Sequence, residues 1–462
     1  MNQAINQLVL DWVLSKCLIA PGNHLLLALS GGADSTCLAR ILLNLRSKLH
    51  LNLTAAHFNH QLRGAESDRD QSFVEAFCQQ FNLPLIVGTK NVAEEAKGAG
   101  LSLEEAARNC RYAFFRDAAK EAGANRIATA HNLDDNLETV LLHLIRGAGI
   151  RGLAGIPPKR GEIIRPLLCV RRTDILAHLE TLSQAFVEDS TNQHDIHRRN
   201  ALRQNVLPLL KVQNPNLAQT VLRQSEALRE DSCFLDSLAE KTFAQIQIKE
   251  NAKEIRLSAA KLAALDRAIA SRVATLAVKA AGATADWTHI NQILHLAAGS
   301  HPSAKTNVRG NVLVQREYDA LVFLPHVGNP PSFNPVILPA EGSISIPEAG
   351  FFITSTENPS KNPETFHTFL FKRAGICGKI TVRPRKEGDR ISLAGRNGTK
   401  TVKKLMIERK VPERQRQITP VFSDESGVLA VYGLGIDRRV APSPGDAVRT
   451  IIVGGITSCT KT

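Results

Sequence analysis

The sequence predicts an α/β protein: an N-terminal region on a parallel sheet, then a mainly helical middle region and a small α+β C-terminal region. Three observations carry this. Strand-length apolar runs alternate with helical patterns over residues 25–147; residues 213–296 are rich in Ala and Leu at helical spacing; a Pro/Gly/Asn-rich segment, 325–335, precedes short β-like runs and a basic block. A chain of 462 residues with 43% hydrophobic content can bury more than one core. The expected division is 1–212, 213–328 and 329–462.

The first region is read in pairs: LLLALS with STCLARILLNL, LTAAHF with ESDRDQSFVEAFCQQF, LPLIVG with SLEEAARNCRYAFFRDAAKEAG, and RIATAH with DDNLETVLLHLIRG. Each pair is a βα unit, and repeated units of this kind build a parallel sheet. Ligands of such sheets bind at the carboxyl ends of the strands, which is where Ser30, His57-Phe58-Asn59-His60 and His131 fall. A further helix, TDILAHLETL, and a basic helical stretch, RRNALRQNVLPLL, complete the region. In the middle region, residues 308–324 read as a hairpin turning at Gly310-Asn311.

Composition narrows the function classes. No run of about 18 uncharged apolar residues occurs and the N-terminus lacks the order of a secretory signal, so a cytoplasmic protein with no membrane span is expected. The eight cysteines are scattered, with no C-x-x-C pair and no zinc-ligand spacing, which excludes a disulfide scaffold. The net charge is +13, and twelve Lys/Arg against four acids place +8 of it in residues 383–416. Such clustering points to a polyanionic partner, while Val402, Leu405, Met406 and Ile407 show that the same segment folds.

The turn Ser30-Gly31-Gly32-Ala33-Asp34-Ser35, between a strand and a helix, offers backbone amides and a positive helix end, both suited to phosphate. It is neither G-x-G-x-x-G nor a Walker motif. Asp34 among phosphates would be repelled unless a divalent cation lay between, so Mg2+ at Asp34 is expected. A second acidic group, TAHNLDDNLET, puts Asp135 and Glu138 on one helix face after His131, while Asp134 reads as a helix-start acid stabilised by the dipole. Arg108 and Arg111, three apart on a helix, suit an oxyanion or surface pairing with Glu104.

The SGGADS turn resembles the PP-loop of the N-type ATP pyrophosphatase superfamily, which binds the pyrophosphate part of ATP while AMP passes to an acceptor oxygen. Together with HFNHQLR, EEAARNCRYAFF, TAHNLDDNLET, RGAGIRGLAGIP, EDSTN and RRNALRQNVLP in that order, and with the C-terminal RKEGDR…GTKTVKKLMIERKVPERQR, it is similar to the tRNA(Ile)-lysidine synthetase family over roughly residues 25–210 and 381–422. Departures are small: Asn132 stands where a second His is frequent, and Asn136 where Gln is usual.

The resemblance implies a PP-loop catalytic domain, a middle substrate-binding domain and a C-terminal tRNA-binding domain. It implies a ligase that adds free L-lysine to the wobble cytidine of an isoleucine tRNA with anticodon CAU, through an adenylated cytidine, releasing AMP and pyrophosphate. ATP would lie on Ser30, Gly31, Gly32, Ala33, Asp34 and Ser35. Asp34, Arg111, His131, Asp135, Glu138 and Arg199 would carry the chemistry, with Asp135 and Glu138 holding the lysine amine, His131 nearer the nucleotide, and Arg199 or Arg203 on the α-phosphate or the target nucleotide. Arg383, Arg385, Lys386, Arg390, Lys400, Lys403, Lys404, Arg409 and Lys410 would meet tRNA phosphates. The resemblance accommodates a monomer and a homodimer equally. Rival readings are a PP-loop cytidine thiolase, against which the isolated Cys37, Cys78 and Cys110 count; an amide ligase acting on a metabolite, for which the basic block has no use; and a tRNA-binding protein with an inactive nucleotide site, against which the intact Asp34, Asp135 and Glu138 count.

Overall fold

The computed structural model describes residues 2–62, 64–188, 198–251, 254–310, 312–325, 332–357 and 367–455. Two compact units are present, Met1–Phe234 and Leu235–Thr462.

In the first unit α1 (Asn2–Ser15) leads into β1 (His24–Ala28), α2 (Ala33–Leu45), β2 (Asn52–Asn59), α3 (Ala65–Gln80) and β3 (Leu85–Thr89). Then come α4 (Val92–Ala99), α5 (Leu103–Ala122), β4 (Arg126–Ala128), α6 (Leu133–Ile145) and the short α7 (Ile150–Leu153). The sheet is closed by β5 (Lys159–Arg160) and β6 (Ile163–Ile164), before α8 (Arg172–Thr181). Side chains alternate across a strand. Leu25 and Leu27 of β1 therefore join the core shared with α1, α2, α6 and α8, while Leu26 faces Phe115, Ala118 and Ala119 of α5. A sheet covered on both faces explains why β1 reads as an uninterrupted apolar run.

The strand order is β3-β2-β1-β4-β6-β5, with only β5 antiparallel. From β1 the chain moves outward through β2 to β3, then crosses back to add β4 on the other side of β1. The order reverses between β1 and β4, so a crevice opens beyond their carboxyl ends. The loops leaving these two strands carry Ser30–Ser35 and His131–Asp135. A basic stretch follows: α9 (Arg198–Ala201), a π-turn over Leu202–Val206 and α10 (Leu207–Gln213). The 30-residue α11 (Leu217–Ile246) belongs to this unit as far as Phe234.

The second unit contains three sheets of four or five strands. From Leu235 onward α11 continues into β7 (Gln247–Asn251), β8 (Glu254–Ser258), α12 (Ala259–Ala263), α13 (Arg267–Ala280) and α14 (Trp287–Ala298), then β9 (Lys305–Val308), β10 (Val312–Glu317) and β11 (Ala320–Pro325). These strands pair in the order β7-β8-β11-β10-β9, and a core of Leu257, Val273, Ile293, Leu321 and Phe323 lies between sheet and helices. Two expectations are corrected here. The helical run over 213–296 is interrupted by β7 and β8, whose E-I-R-L-S alternation is too short to stand out among Ala/Leu-rich neighbours. The single hairpin over 308–324 is two hairpins: one passes Gly310 (φ +96°), with Asn311 outside the described residues, and the other turns at Tyr318-Asp319 between β10 and β11.

The remaining chain is mainly antiparallel. The strands β12 (Val336–Ile337), β13 (Gly342–Ile346), β14 (Phe351–Thr356), β15 (Thr368–Lys372) and β16 (Thr381–Arg383) precede the basic block. Within the block lie β17 (Arg390–Ile391), β18 (Lys400–Thr401), α15 (Val402–Glu408) and α16 (Glu413–Arg416). After it come β19 (Val421–Asp424), β20 (Gly427–Val431), β21 (Gly435–Ile436) and β22 (Val448–Gly455). Phe369, Phe371 and Phe422 form the largest part of one core, and Leu405, Met406 and Val431 of an adjoining one.

The basic block is fastened to the β10–β11 turn by charge. The Glu317 carboxylate, 1% exposed, lies 2.7 Å from Arg414 Nε and 3.0 Å from Arg256 Nη2, and Glu254 meets the same two arginines at 2.7 and 3.2 Å. Arg416 donates to the Tyr318 hydroxyl at 3.0 Å, and Lys410 pairs with Asp319 at 3.1 Å. Removing one member of a buried ionic group leaves its partners uncompensated, at a cost of about 3–5 kcal/mol. Glu317→Ala is therefore expected to lower the stability of this unit by about 3 kcal/mol. Urea unfolding followed by circular dichroism measures this, and an unchanged midpoint would show that the cluster contributes nothing.

Candidate active site

A cavity of about 690 Å³ opens at the crevice, lined by Ser30, Gly32, Asp34 and Ser35 from the β1–α2 turn, by His57 to His60 at the end of β2, by Arg111 and Tyr112 from α5, and by His131 and Asp135 after β4. Arg172, Glu188 and Arg199 complete its rim.

The glycine turn is held open by its own hydroxyls. Ser35 Oγ donates to the Gly32 carbonyl at 3.0 Å and accepts from the Ser30 amide at 3.2 Å, and Thr36 Oγ1 donates to the Gly31 carbonyl at 3.1 Å. Gly31 has φ +86°, and a Cβ there would lie 3.2 Å from the Phe73 ring, so both conformation and space require glycine. Gly32 precedes α2 and supplies no side-chain cap, leaving the first amides of the helix without an acceptor of their own. Val187 N donates to the Gly31 carbonyl at 2.9 Å, seating Glu188 at the rim. Asp189 to Asn192 of the EDSTN motif lie outside the described residues.

The acidic motif is tied directly to this turn. The Asn132 side chain caps α6, accepting from Asp135 N at 3.0 Å, while Asp135 accepts from Asn132 N at 3.0 Å. The same Asn132 donates through Nδ2 to Asp34 at 3.1 Å. Arg172 pairs with the other oxygen of Asp34. Burial pushes the Asp135 carboxyl up from its ordinary range. Burial also opposes the charge on Asp134, but the Arg172 amide at 2.8 Å and Lys211 at 2.7 Å hold it below its ordinary range. Asp134 thus anchors α8 and α10, a structural task in keeping with its position at the helix start.

Glu138 is 1% exposed and grips both candidate arginines: Arg199 Nε at 2.6 Å, Arg203 Nε at 2.6 Å and Arg203 Nη2 at 3.0 Å. Arg199 also reaches Asp135 at 3.1 Å and lines the cavity. The carboxylate expected to hold an amine therefore holds two guanidiniums.

Burial lowers the basicity of two histidines on this edge, His57 and His131. His57 Nδ1 lies 2.9 Å from the Leu29 carbonyl, which can only accept, so Nδ1 carries the proton and Nε2 is left as an acceptor; burial lowers its basicity. Asn59 shapes its loop, donating to Gln71 at 3.1 Å and accepting from Gln61 N at 3.0 Å, while Arg63 lies outside the described residues. Burial, then Arg165, Arg111, Arg199 and Arg108, push His131 down to about 3. Arg111 is reached by solvent from the cavity yet is enclosed by protein, and burial and Arg108 lower it.

The second unit holds the other expected group. Lys386, Arg390, Lys403, Lys404, Arg409 and Lys410 are exposed, and Lys400 pairs with Glu408 at 2.9 Å. Arg385 is half-buried. Arg383 is buried and faces Asp389 with two bonds of 2.8 and 2.9 Å, so its charge shapes the loop that carries Lys386.

A family model described as a PP-loop domain matches residues 1–210, and one described as the TilS substrate C-terminal domain matches residues 380–451. A tRNA(Ile)-lysidine synthase of Geobacillus kaustophilus is 32% identical, the match covering 93% of this chain and 95% of that one. The chain belongs to the tRNA(Ile)-lysidine synthase family. A relative of that name from Clostridioides difficile is 32% identical, over 92% of this chain and 94% of its own, and one from Bacillus subtilis 31% identical, over 92% and 93%. These matches favour the synthase reading over the cytidine thiolase.

Arg172 and Tyr112 line the cavity and were not singled out from the sequence. Arg172 had a signal, since an Arg-Arg pair directly precedes the TDILAHLETL helix. Motif glycines do structural work. The Asn136 carbonyl accepts from Ile156 N at 2.8 Å, and a Cβ on Gly155 (φ +62°) would lie 2.3 Å from it. That contact accounts for Gly155, in a motif that does not line the cavity.

The state of His131 makes acid stability measurable. A free histidine titrates near about 6.5, whereas the folded site keeps His131 neutral down to about 3. The unfolded chain takes the proton first, so this contribution is fully present above about 6.5 and is lost as pH falls from there towards 3. His131→Gln removes it, and its urea midpoint is expected to fall less than the parent's between about pH 6.5 and 4.5. Identical declines in both proteins would sink this account.

Proposed function

We propose that the protein ligates free L-lysine to the wobble cytidine of an isoleucine tRNA bearing the CAU anticodon, with ATP as the activating substrate. The observation that carries this is Asp34 in an open glycine turn, joined through Asn132 to the acidic helix start in a chain of this family. The ring carbonyl oxygen of cytosine attacks the α-phosphate; pyrophosphate leaves and the base carries AMP. The ε-amine of lysine then attacks the activated ring carbon, AMP departs and the amine proton is released.

The residues divide these tasks. The amides of Gly31 to Ser35 receive the leaving pyrophosphate, and Arg111 and Arg199 stabilise charge at the α-phosphate. Lysine must lose a proton from an amine that is ordinarily charged below about 10.4. Asp135, its carboxyl raised by burial, is the acceptor closest to that task, and Glu138 positions Arg199 and Arg203 beside it. Neutral His131 offers an uncharged hydrogen-bonding group near the nucleotide. Among the described residues no cluster of three or more His, Cys, Asp or Glu is gathered for a metal. Asp34 and Asp135, bridged by Asn132, nonetheless fit Mg2+ in its usual mode, in which one or two carboxylates and substrate phosphates suffice and the ion neutralises phosphate charge.

For the tRNA, the exposed Lys386, Arg390, Lys403, Lys404, Arg409 and Lys410 supply phosphate contacts. A wobble base is already unpaired and splays into a pocket at modest cost. We further propose that residues 1–212 form the catalytic domain, 213–328 a substrate-binding domain and 329–462 the tRNA-binding domain; the separate cores around Phe323 and Phe369 support this division. No helix among the described residues is long and apolar enough to cross a membrane. A cytoplasmic location accords with these substrates.

Incubation with ATP, Mg2+, radiolabelled lysine and unmodified isoleucine tRNA is expected to leave base-stable label in that tRNA and none in methionine tRNA. Asp34→Ala is expected to lower kcat by about 100-fold or more. AMP release without lysine incorporation would overturn lysine as the nucleophile. Replacing Lys403 and Lys404 together by Ala is expected to weaken tRNA binding and to reduce the slope of log affinity against log salt by about 2; an unchanged slope would remove them from the interface.

A further inference from the structure

We propose that Glu317 and Tyr318 are positioning residues for tRNA binding: they lock the segment after α15 against the β10–β11 turn, so that Lys403 and Lys404 meet the RNA in a fixed place relative to the β7–β11 sheet. The proposal rests on the reading above that α15 faces tRNA.

Two separate cores meet at this turn. The core around Phe323 draws on residues 235–323 and the one beneath α15 on residues 391–434, and no residue belongs to both. The junction is made by ion pairs and hydrogen bonds instead. Arg414 of α16 reaches Glu254 of β8 and Glu317, the last residue of β10, and Arg256 of β8 closes the ring by pairing with both acids. Glu317 is too deeply buried to be an ordinary solvated acid.

Tyr318 adds direction to this grip. Its hydroxyl accepts from Arg416 Nη2 at 3.0 Å and lies 3.4 and 3.5 Å from the carbonyls of Ile407 and Val411, on either side of the exit from α15. Arg416 Nε donates to the Val411 carbonyl at 2.8 Å, and Lys410 meets Asp319 at 3.1 Å. These partners all lie within residues 407–416, directly after the lysines of α15. A buried ionic group is weak evidence for stability, and its best use is to specify one arrangement. Charge alone would place no acid here: Glu317 neutralises arginines next to a surface that meets a polyanion, so deleting it should strengthen binding. A buried acid at this point fits a role in which orientation outweighs net charge.

The test measures affinity for isoleucine tRNA against salt in the wild type, in Glu317→Gln, in Tyr318→Phe and in the double variant Lys403→Ala with Lys404→Ala, each checked for fold by circular dichroism. Neither single variant removes a cation, and Tyr318→Phe removes no charge at all. Glu317→Gln is nevertheless expected to weaken binding by about tenfold, the scale of losing two phosphate contacts at about 0.15 M salt, and to reduce the slope of log affinity against log salt by up to about 2. Tyr318→Phe is expected to move both quantities the same way, affinity by about threefold. Adding Glu317→Gln to the lysine double variant is expected to weaken binding further by no more than about twofold, because contacts already lost cannot be lost again. Tighter binding by Glu317→Gln, an unchanged slope in both single variants, or full additivity with the lysine changes overturns the proposal. If Glu317→Gln does not fold, the slope of Tyr318→Phe decides. The lysine double variant keeps the two readings apart: where its slope falls, those outcomes defeat the positioning role alone; where it does not, the tRNA surface on α15 falls as well.

Discussion

The site depends on one buried side chain. Asn132 accepts from the first turn of α6, is held in turn by Asp135, and with its remaining donor reaches Asp34 across the crevice. The two loops leave adjacent strands, β1 and β4, and nothing in strand pairing fixes the loops themselves. A neutral amide suits the place: it donates to one carboxylate and caps a helix without adding charge between Asp34 and Asp135. Two carboxylates this close would otherwise repel, and the arginines behind them supply the compensation.

Those arginines show how the fold tolerates so much charge. Glu138 lies inside a helix that packs on the sheet, where an unpaired carboxylate would be costly. It is bonded on both oxygens by Arg199 and Arg203, which are four residues apart and therefore on the same side of their helical segment. The ion pair serves geometry more than stability, since a well-packed apolar replacement is often as stable as a buried pair. Its consequence is that Arg199 presents one face to the cavity while its Nε is anchored. The π-turn from Leu202 to Val206 falls in this segment, as such turns often do beside functional sites.

Legibility in the sequence followed the range of the interaction. The parallel sheet was legible because each strand is a short apolar run followed at once by a helical period, and the glycine turn because φ above zero and a helix start impose a local signature. Asp34, His131 and Asp135 were legible as cavity residues because the ends of parallel strands converge, and Arg199 because its stretch resembles a motif of the family. The pairing of Glu138 with Arg199 and Arg203 spans 61 and 65 residues, and no local pattern announces it. Asn132 was seen only as a departure from a frequent histidine, although an Asn three residues before Asp135 has the spacing of a helix capping box. Strands β7 and β8 were hidden because five residues of alternation carry little weight beside long Ala/Leu-rich helices.

The same distinction governs the basic block. By composition its twelve cations are alike, but the structure sorts them by what lies opposite. Arg383, Arg414 and Arg416 face Asp389, Glu254, Glu317 and Tyr318, so their charges hold loops and sheet edges in place. Lys403 and Lys404 lie on α15 with no such partner among the described residues, while Val402, Leu405 and Met406 of the same helix are buried beneath them. A helix anchored by its apolar face and bearing lysines on the other presents charge at fixed spacing, which a flexible basic tail cannot do. Counterion release depends on how many phosphates are met at once, so the charges that matter for a structured RNA are those the fold leaves unpaired and holds still.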